Sequence, residues 1–148
     1  MAIEWSLKKF ENLTAQELYK IMQLRNEVFV VEQNCPYQDA DNKDLYSFHF
    51  MGWYDDKLAA YTRILPPGLS YTEPSIGRVV TSPSARKNGL GRELMIQSID
   101  KVKEIYGDQP VKIGAQLYLQ KFYTSLGFKQ TSDIYLEDNI EHIEMVKS

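Results

Sequence analysis

The hydrophobic positions of the chain follow two periods, one typical of helices and one typical of strands. After Thr14, which together with Glu17 fits a helix capping box, apolar residues recur every three to four positions. Other stretches are rich in β-branched and aromatic residues and are bounded by glycine, proline or aspartate, as strands are. The pattern predicts strands over 4–10, 46–54, 58–65, 75–81, 111–115, 128–135 and 140–146, and helices over 14–29, 89–106 and 119–126.

These elements form one predicted domain that spans residues 1–148. The chain has no internal repeat, no low-complexity tract and no proline-, glycine- or serine-rich linker, and its length suits a single core. Apolar residues make up 43% and charged residues 25%, which is typical of a globular protein rather than a disordered one. Because the strands alternate with helices only in part, we expect an α/β fold of the α+β type with a mixed sheet.

Charge and composition exclude several function classes. The formal net charge is −3 and the sequence shows no basic face, so nucleic acid is not an expected partner. No apolar run approaches the roughly 18 residues that a membrane helix needs, so we expect no membrane partner. Residues 1–10 carry charges and lack the apolar segment of a signal peptide, and we therefore expect a cytoplasmic protein.

The titratable residues form no metal-binding pattern. Asp39 and Asp41 resemble the start of a calcium loop, but Lys43 occupies its fifth position and Asp44 its sixth, where the loop needs a glycine. With two histidines and one cysteine in the chain, no zinc spacing exists either. We expect no metal. The three aspartates are interpreted as solvated loop residues, with binding of a cationic acceptor as the alternative.

Residues 76–92 carry the most informative chemistry. A predicted strand runs into Arg-Lys-Asn-Gly-Leu-Gly-Arg at 86–92, and this segment opens a helix. The first N–H groups of a helix lack intrahelical partners and the helix dipole favours negative charge there, while glycines at 89 and 91 let an oxygen approach the backbone. The cations at 86, 87 and 92 are unusual at a helix N-terminus unless an anion binds. The pattern alone fits a glycine-rich turn with solvated charges equally well.

A second motif, Phe-Tyr-Thr-Ser-Leu-Gly-Phe at 122–128, follows about 30 residues later. The order of strand, Arg-x-x-Gly-x-Gly, helix, strand and a helix ending Phe-Tyr-x-x-Leu-Gly-Phe resembles the GNAT superfamily of acyl-CoA-dependent N-acetyltransferases. Residues 24–39, 76–79, 114–116 and 142–143 make the chain similar to the ElaA-like subgroup of that superfamily. The resemblance covers nearly the full length.

The resemblance implies a GNAT-like fold and an acetyl-CoA site. The fold is a mixed, mostly antiparallel sheet of about six to seven strands flanked by about four helices, and its two central strands splay to admit acyl-CoA. The implied chemistry is transfer of an acetyl group from acetyl-CoA to a primary amine of a small molecule or peptide by direct attack, and a homodimer stays open as the assembly state. The implied cofactor-binding residues are Val79, Val80, Thr81, Arg86, Lys87, Asn88, Gly89, Leu90, Gly91, Arg92 and Gln116.

The resemblance also implies that Tyr123 is the general acid that protonates the departing thiolate. Tyr123 lies as well on an apolar stripe with Leu119, where an aromatic residue is usually core, and a tyrosine can serve both purposes. The general base is open. Glu32 lies where an acceptor-binding element is expected. His49 and His142 titrate in the right range, but His49 lies in an apolar strand, where a core histidine is the commoner outcome.

Two other function classes fit the sequence. A non-catalytic acyl-CoA sensor on the same fold would bind the cofactor without amine-dependent release of thiol. A partner-binding protein whose glycine loop is only a turn would not bind coenzyme A at all. A nucleophilic role for Cys35, the single cysteine, has no support among its neighbours in the sequence.

Overall fold

The computed structural model describes residues 2–86 and 89–148. Within these residues, eight strands form one sheet with three α-helices. The strands are β1 (Glu4–Lys9), β2 (Phe48–Tyr54), β3 (Lys57–Leu65), β4 (Ser75–Thr81), β5 (Val111–Gln116), β6 (Lys129–Gln130), β7 (Tyr135–Glu137) and β8 (Ile140–Lys147). The helices are α1 (Ala15–Arg25), α2 (Leu90–Tyr106) and α3 (Gln120–Ser125). The predicted fold class is confirmed, with one strand more and one helix fewer than the resemblance implied.

The strand order explains where the sheet opens. Along the sheet the order is β1-β2-β3-β4-β5-β8-β6, and β7 pairs with β8 as well. All neighbours are antiparallel except β4 and β5, which run parallel and pair only at Ser75 and Lys112. Helix α2 connects these two strands, as a parallel pair requires. A single pairing position means that β4 and β5 separate along the rest of their length.

The helix predicted over 14–29 changes type in its second half. Thr14 caps α1 as expected, because its hydroxyl accepts the backbone N–H of Glu17 while the Glu17 carboxylate accepts the backbone N–H of Thr14. From Asn26 to Glu32 the chain forms a π-helix, in which backbone N–H groups bond to the carbonyl five residues earlier. Three valines in this segment are β-branched and disfavour the α-helix. Such π-helical turns are frequent at functional sites.

The strand predicted over 128–135 is broken into β6 and β7. Between Gln130 and Tyr135, four residues face only two residues of β8, so the excess residues leave the ladder. The Ser132 hydroxyl accepts the backbone N–H of Glu144 at 2.8 Å and replaces one of the lost ladder bonds. The break leaves β7 and β8 as a separate hairpin beside the split in the sheet.

Two apolar clusters hold the helices to the sheet. The larger packs α2 and α3 on the sheet and includes the fully buried Leu94, Met95 and Phe128. The smaller packs α1 against β2, β3 and β4 and includes the fully buried Ile21 and Tyr61. Each large apolar side chain that is fully buried contributes about 1.5–3 kcal/mol. The larger cluster holds residues of both β4 and β5, and the smaller cluster packs on β4 as well.

Candidate active site

A cleft of about 400 Å³ occupies the split between β4 and β5. One wall is residues 76–81 of β4, and the opposite wall is residues 113–116 of β5. The π-helix and the β7–β8 hairpin border it. Beyond Ser75 the edge of β4 that faces β5 has no sheet partner. An extended ligand can therefore bond to this edge as a strand would, and crevices between diverging strands are common ligand sites.

A β-bulge interrupts β4 in the middle of the cleft wall. One residue of β3, Thr62, faces two residues of β4, Arg78 and Val79. Arg78 has a φ of +50°, a left-handed conformation that is uncommon for a residue with a side chain. A bulge leaves its extra residue out of the ladder. Backbone groups beside Val79 are thereby freed from β3 within the cleft wall.

The predicted anion loop leads from this wall into α2. Gly89 is the N-cap of α2 with a φ of +71°, and a Cβ added at Gly89 or at Gly91 would meet no atom of the described residues within 4 Å apart from its neighbours in the chain. Space above the first turn of the helix is therefore open. The Leu90 side chain is buried in the core, so only its backbone can meet a ligand. Lys87 and Asn88, predicted for the same site, lie outside the described residues.

Two arginines flank the loop and already have partners. Both terminal nitrogens of Arg86 donate to the Glu32 carboxylate, at 2.6 and 2.9 Å. Arg92 donates to the Ser125 hydroxyl at 2.9 Å. Side chains of the Arg86–Glu32 pair are 39% and 41% exposed, and such a surface pair contributes at most about 1 kcal/mol. A polyanionic ligand can compete for Arg86, and Glu32 lies at the cleft as predicted.

The remaining predicted cofactor contacts all line the cleft. They are Val79, Val80, Thr81 and Gln116. The Val80 side chain is buried in the cluster beneath α1, so Val80 can offer only its backbone. The Gln116 amide donates to the side-chain carbonyl of Gln33 at 3.3 Å, which links the β5 wall to the end of the π-helix.

Tyr123 is both a core residue and a cleft residue. Its ring packs edge-on against Phe122 and Phe128, with centroids 5.1 and 5.9 Å apart, and the residue is 5% exposed. It nevertheless lines the cleft, and within the described residues its hydroxyl has no hydrogen-bond partner. Burial raises the pKa of Tyr123 above its ordinary value, with a smaller contribution from Tyr118. The hydroxyl therefore stays protonated and can donate.

His49 does not lie in the cleft. It is fully buried, and both ring nitrogens are bonded, Nδ1 to the Tyr61 hydroxyl at 2.6 Å and Nε2 to the Asp44 carbonyl at 2.9 Å. Burial lowers its pKa, so the ring is kept neutral. The structure places His49 as a satisfied core residue, and the geometry offers it no route to a substrate.

The interpretation of three aspartates as solvated loop residues is wrong. They form an ion cluster with three arginines: Asp39, Asp41 and Asp44 with Arg25, Arg63 and Arg78. Arg25 is fully buried and donates to Asp39 and Asp44, each at 2.7 Å. Burial alone would raise the pKa of Asp41, but Arg63 and Arg78 outweigh it and bring that pKa to about 2. The cluster ties this loop to the cleft wall, because Arg78 belongs to β4.

A second cavity of about 510 Å³ joins the first across the split. The two share residues 76–78, Tyr37, Gly114, Glu137 and Asp138. Gly114 is required at this junction, because a Cβ there would lie 2.9 Å from the Tyr71 hydroxyl. The first cavity reaches Thr81 and Arg86 beside the glycine loop, and the second reaches Leu65 and Ser75 at the other end of β4. The arrangement can receive two ligands whose reactive ends meet near the bulge.

Sequence reasoning gave Tyr37 no role in the site, and it weighed Cys35 and His142 without placing them in the cleft. Tyr37 stacks on the Arg78 guanidinium at 5.9 Å, and the Cys35 thiol donates to the Asp138 carbonyl at 3.3 Å. His142 also lines the cleft. The one sequence signal for the ion cluster was Arg25, which places a charge at an apolar position of the predicted helix. Residues 2–86 and 89–148 contain no group of three or more metal-ligating side chains and no helix that is long and apolar enough to cross a bilayer.

Three features together define the acyl-CoA N-acyltransferase class. They are a split parallel pair of strands, a bulged strand with a free edge and a glycine-capped helix after that strand. Residues 10–148 match the family model described as acetyltransferase (GNAT) domain, and the chain belongs to that family. It is 43% identical to protein ElaA of Escherichia coli (strain K12) over 147 residues, which is 98% of this chain and 96% of that protein. The predicted family and ElaA-like subgroup are confirmed.

Solved structures agree over the whole chain. The crystal structure of an acyl-CoA N-acyltransferase from Pseudomonas aeruginosa has a TM-score of 0.94 and 44% identity, and the match covers 99% of this chain and 100% of that one. The crystal structure of Escherichia coli ElaA has a TM-score of 0.93 and 42% identity, with the same coverage.

Proposed function

We propose that the protein is an N-acetyltransferase that moves an acetyl group from acetyl-CoA to a primary amine of a small molecule or peptide. The observation that carries this proposal is the unpaired edge of β4, which runs from the bulge at Arg78 to Thr81 and precedes the glycine-capped helix α2 in the chain. The pyrophosphate binds the N–H groups at the start of α2, where the helix dipole favours an anion. The pantetheine arm bonds along β4, and the thioester lies at the bulge. The proposed location is the cytoplasm.

The proposed reaction needs stabilisation of one oxyanion and two proton transfers. The neutral amine attacks the thioester carbonyl, so a C–N bond forms and the C–S bond breaks. A backbone N–H beside Val79 stabilises the oxyanion, since the bulge frees backbone groups there. The Tyr123 hydroxyl gives its proton to the thiolate, and a base takes one proton from the amine. Burial raises the pKa of Tyr123 and keeps its hydroxyl protonated, so a proton is present when the C–S bond breaks.

Two connected openings support direct attack in a ternary complex. Acetyl-CoA and amine can enter from different parts of the split and be bound together, which removes the need for a covalent intermediate. The competing route is an acyl-enzyme on Cys35, because this thiol lines the cleft.

Initial rates of thiol release, measured with both substrates varied across a panel of primary amines, test the proposal. We expect amine-dependent release with intersecting double-reciprocal lines, and unchanged turnover in Cys35→Ser, which keeps a donor to the Asp138 carbonyl. Parallel lines together with loss of turnover in that variant would contradict direct attack. Binding of acetyl-CoA with no thiol release for any amine would favour the sensor.

A further inference from the structure

The proposed reaction needs a base, and two of the three residues that the sequence suggests are poorly placed for it. His49 is sealed in the core, and Glu32 is engaged by Arg86. A third candidate, His142 on β8, lines the cleft and is 7% exposed. It lies directly opposite Gln116 of β5 in the sheet register, so both side chains project from the same face. The neighbouring Ile143 projects to the opposite face and is buried in the core.

One hydrogen bond decides which nitrogen of His142 is chemically available. Nδ1 lies 2.8 Å from the carbonyl oxygen of Ile140. A carbonyl oxygen only accepts, so Nδ1 must carry the hydrogen whether the ring is neutral or charged. The neutral ring then has its free electron pair on Nε2. His142 is thereby held in the tautomer of a base whose single proton-accepting atom is Nε2.

The surroundings of Nε2 stabilise the charge that proton uptake creates. A carboxylate oxygen of Glu137 lies 3.6 Å from Nε2, too far for a hydrogen bond but within the range of an ion pair with a protonated ring. The Tyr135 ring stacks on the imidazole, with centroids 5.9 Å apart. The other titratable or charged residues that line the same cleft are Glu32, Cys35, Tyr37, Arg78, Arg86, Tyr118, Tyr123 and Asp138.

We propose that His142 is the general base of the transfer, an assignment that rests on the proposed acetyltransferase function. Nε2 takes the proton that the acceptor nitrogen loses as its bond to the acetyl carbon forms, directly or through one water. The amine proton thus goes to His142, and the Tyr123 proton goes to the coenzyme A thiolate. The imidazolium then returns its proton to solvent, with Glu137 stabilising the charged ring. Both catalytic side chains line one cleft, as the two proton transfers require.

The kinetic test is the pH profile of kcat/KM with the best amine of the panel. His142→Gln removes the titratable imidazole, and we expect kcat to fall about 10²–10⁴-fold. The rise of kcat/KM toward alkaline pH should disappear, and the affinity for acetyl-CoA should stay unchanged. Glu137→Gln removes the carboxylate beside Nε2 and keeps the length of the side chain, so kcat should fall by a smaller factor than in His142→Gln. Glu141→Gln, an exposed carboxylate one residue away on β8, should leave the profile unchanged.

The tautomer can be measured without any acceptor. Nitrogen-15 chemical shifts report which imidazole nitrogen is protonated, and His142→Gln assigns the signals because the chain has two histidines. We expect the Nδ1–H form at His142 and the Nε2–H form at His49, whose Nε2 must donate to the Asp44 carbonyl. An Nε2–H form at His142, or a His142→Gln enzyme that keeps its rate and pH profile, would overturn the role of His142 as base but leave the proposed function standing. Failure of the wild type to bind acetyl-CoA would overturn the proposed function itself.

Discussion

At the scale of single residues, Tyr123 shows that core packing and chemistry can use different parts of one side chain. Its ring fills space between Phe122 and Phe128, and the residue also lines the cleft. The sequence motif could suggest both roles for Tyr123, and only the arrangement of strands shows that one residue can fulfil both.

Replacing Tyr123 by phenylalanine should separate these roles. The ring and its aromatic neighbours remain, so the thermal midpoint should stay within a few degrees of the wild type. Turnover should fall about 10²–10⁴-fold, the usual range for one acid–base group. Thiol release and a thermal melt of the same preparation measure both quantities. Wild-type turnover in a folded Tyr123→Phe protein would remove the general acid from this account.

Glu32 should weaken cofactor binding rather than assist it. Its carboxylate holds both terminal nitrogens of Arg86, and a bound pyrophosphate must compete with it. Because the pair is exposed, Glu32→Gln should tighten acetyl-CoA binding by a modest factor, about two- to fivefold, as measured by calorimetry. Glu27→Gln, an exposed glutamate on the same π-helix, is the matched control and should change nothing. Weaker binding in Glu32→Gln would mean that Glu32 itself contacts the cofactor.

At the scale of elements, the ion cluster and the bulge position the cleft wall. Arg25 at the end of α1 and Arg78 in β4 both bond to Asp39, so the loop after the π-helix is fixed to two elements at once. Arg78 keeps its left-handed backbone while its side chain is held by these carboxylates. Sequence reasoning could not foresee this cluster, because ion pairs between residues 14 to 39 positions apart leave no periodic signal.

The cluster should make the fold sensitive to acid. Arg63 and Arg78 lower the pKa of Asp41 to about 2 against the effect of burial, and Arg25 and Arg63 lower that of Asp44. A lowered native pKa stabilises the fold above the unfolded value of about 4, and this stability is lost as pH falls from there toward 2. Urea unfolding at pH 6, 4 and 3 should show this loss, and Asp41→Asn should flatten it. Asp133→Asn, at an exposed position, is the control and should lose stability with falling pH as steeply as the wild type. An equally steep loss of stability in Asp41→Asn would contradict the low pKa assigned to Asp41.

The two loop glycines should respond in opposite ways to alanine. Gly89 has a φ of +71°, so Gly89→Ala should cost about 1 kcal/mol of unfolding free energy. Gly91 lies inside the first turn of α2 with open space at its Cβ position, so Gly91→Ala should stabilise by about 0.5 kcal/mol. Chemical denaturation of both variants measures the difference. Equal changes in unfolding free energy for the two variants would show that Gly89 does not have the left-handed backbone described.

At the scale of the whole molecule, the sequence was informative where its signals are local. The capping box at Thr14, the helix α2 and the glycine loop were all predicted, because each depends on neighbouring residues. The single pairing between β4 and β5, the bulge at Arg78 and the broken β6–β7 strand depend on register between distant segments, and no local pattern reports them. The cleft is a product of that register. Its residues could be named from the family resemblance, but its two openings could not.

The measurement that tests this account most directly is calorimetric titration of the whole protein with acetyl-CoA. Gly91→Glu places a carboxylate at the start of α2, where a side chain has open space and no strained backbone. Ile96→Glu adds the same charge at an exposed position farther along α2 and serves as the control. The account predicts saturable binding by the wild type and by Ile96→Glu, and loss of binding by Gly91→Glu. No binding by a folded wild-type protein, or unchanged binding by Gly91→Glu, would contradict it.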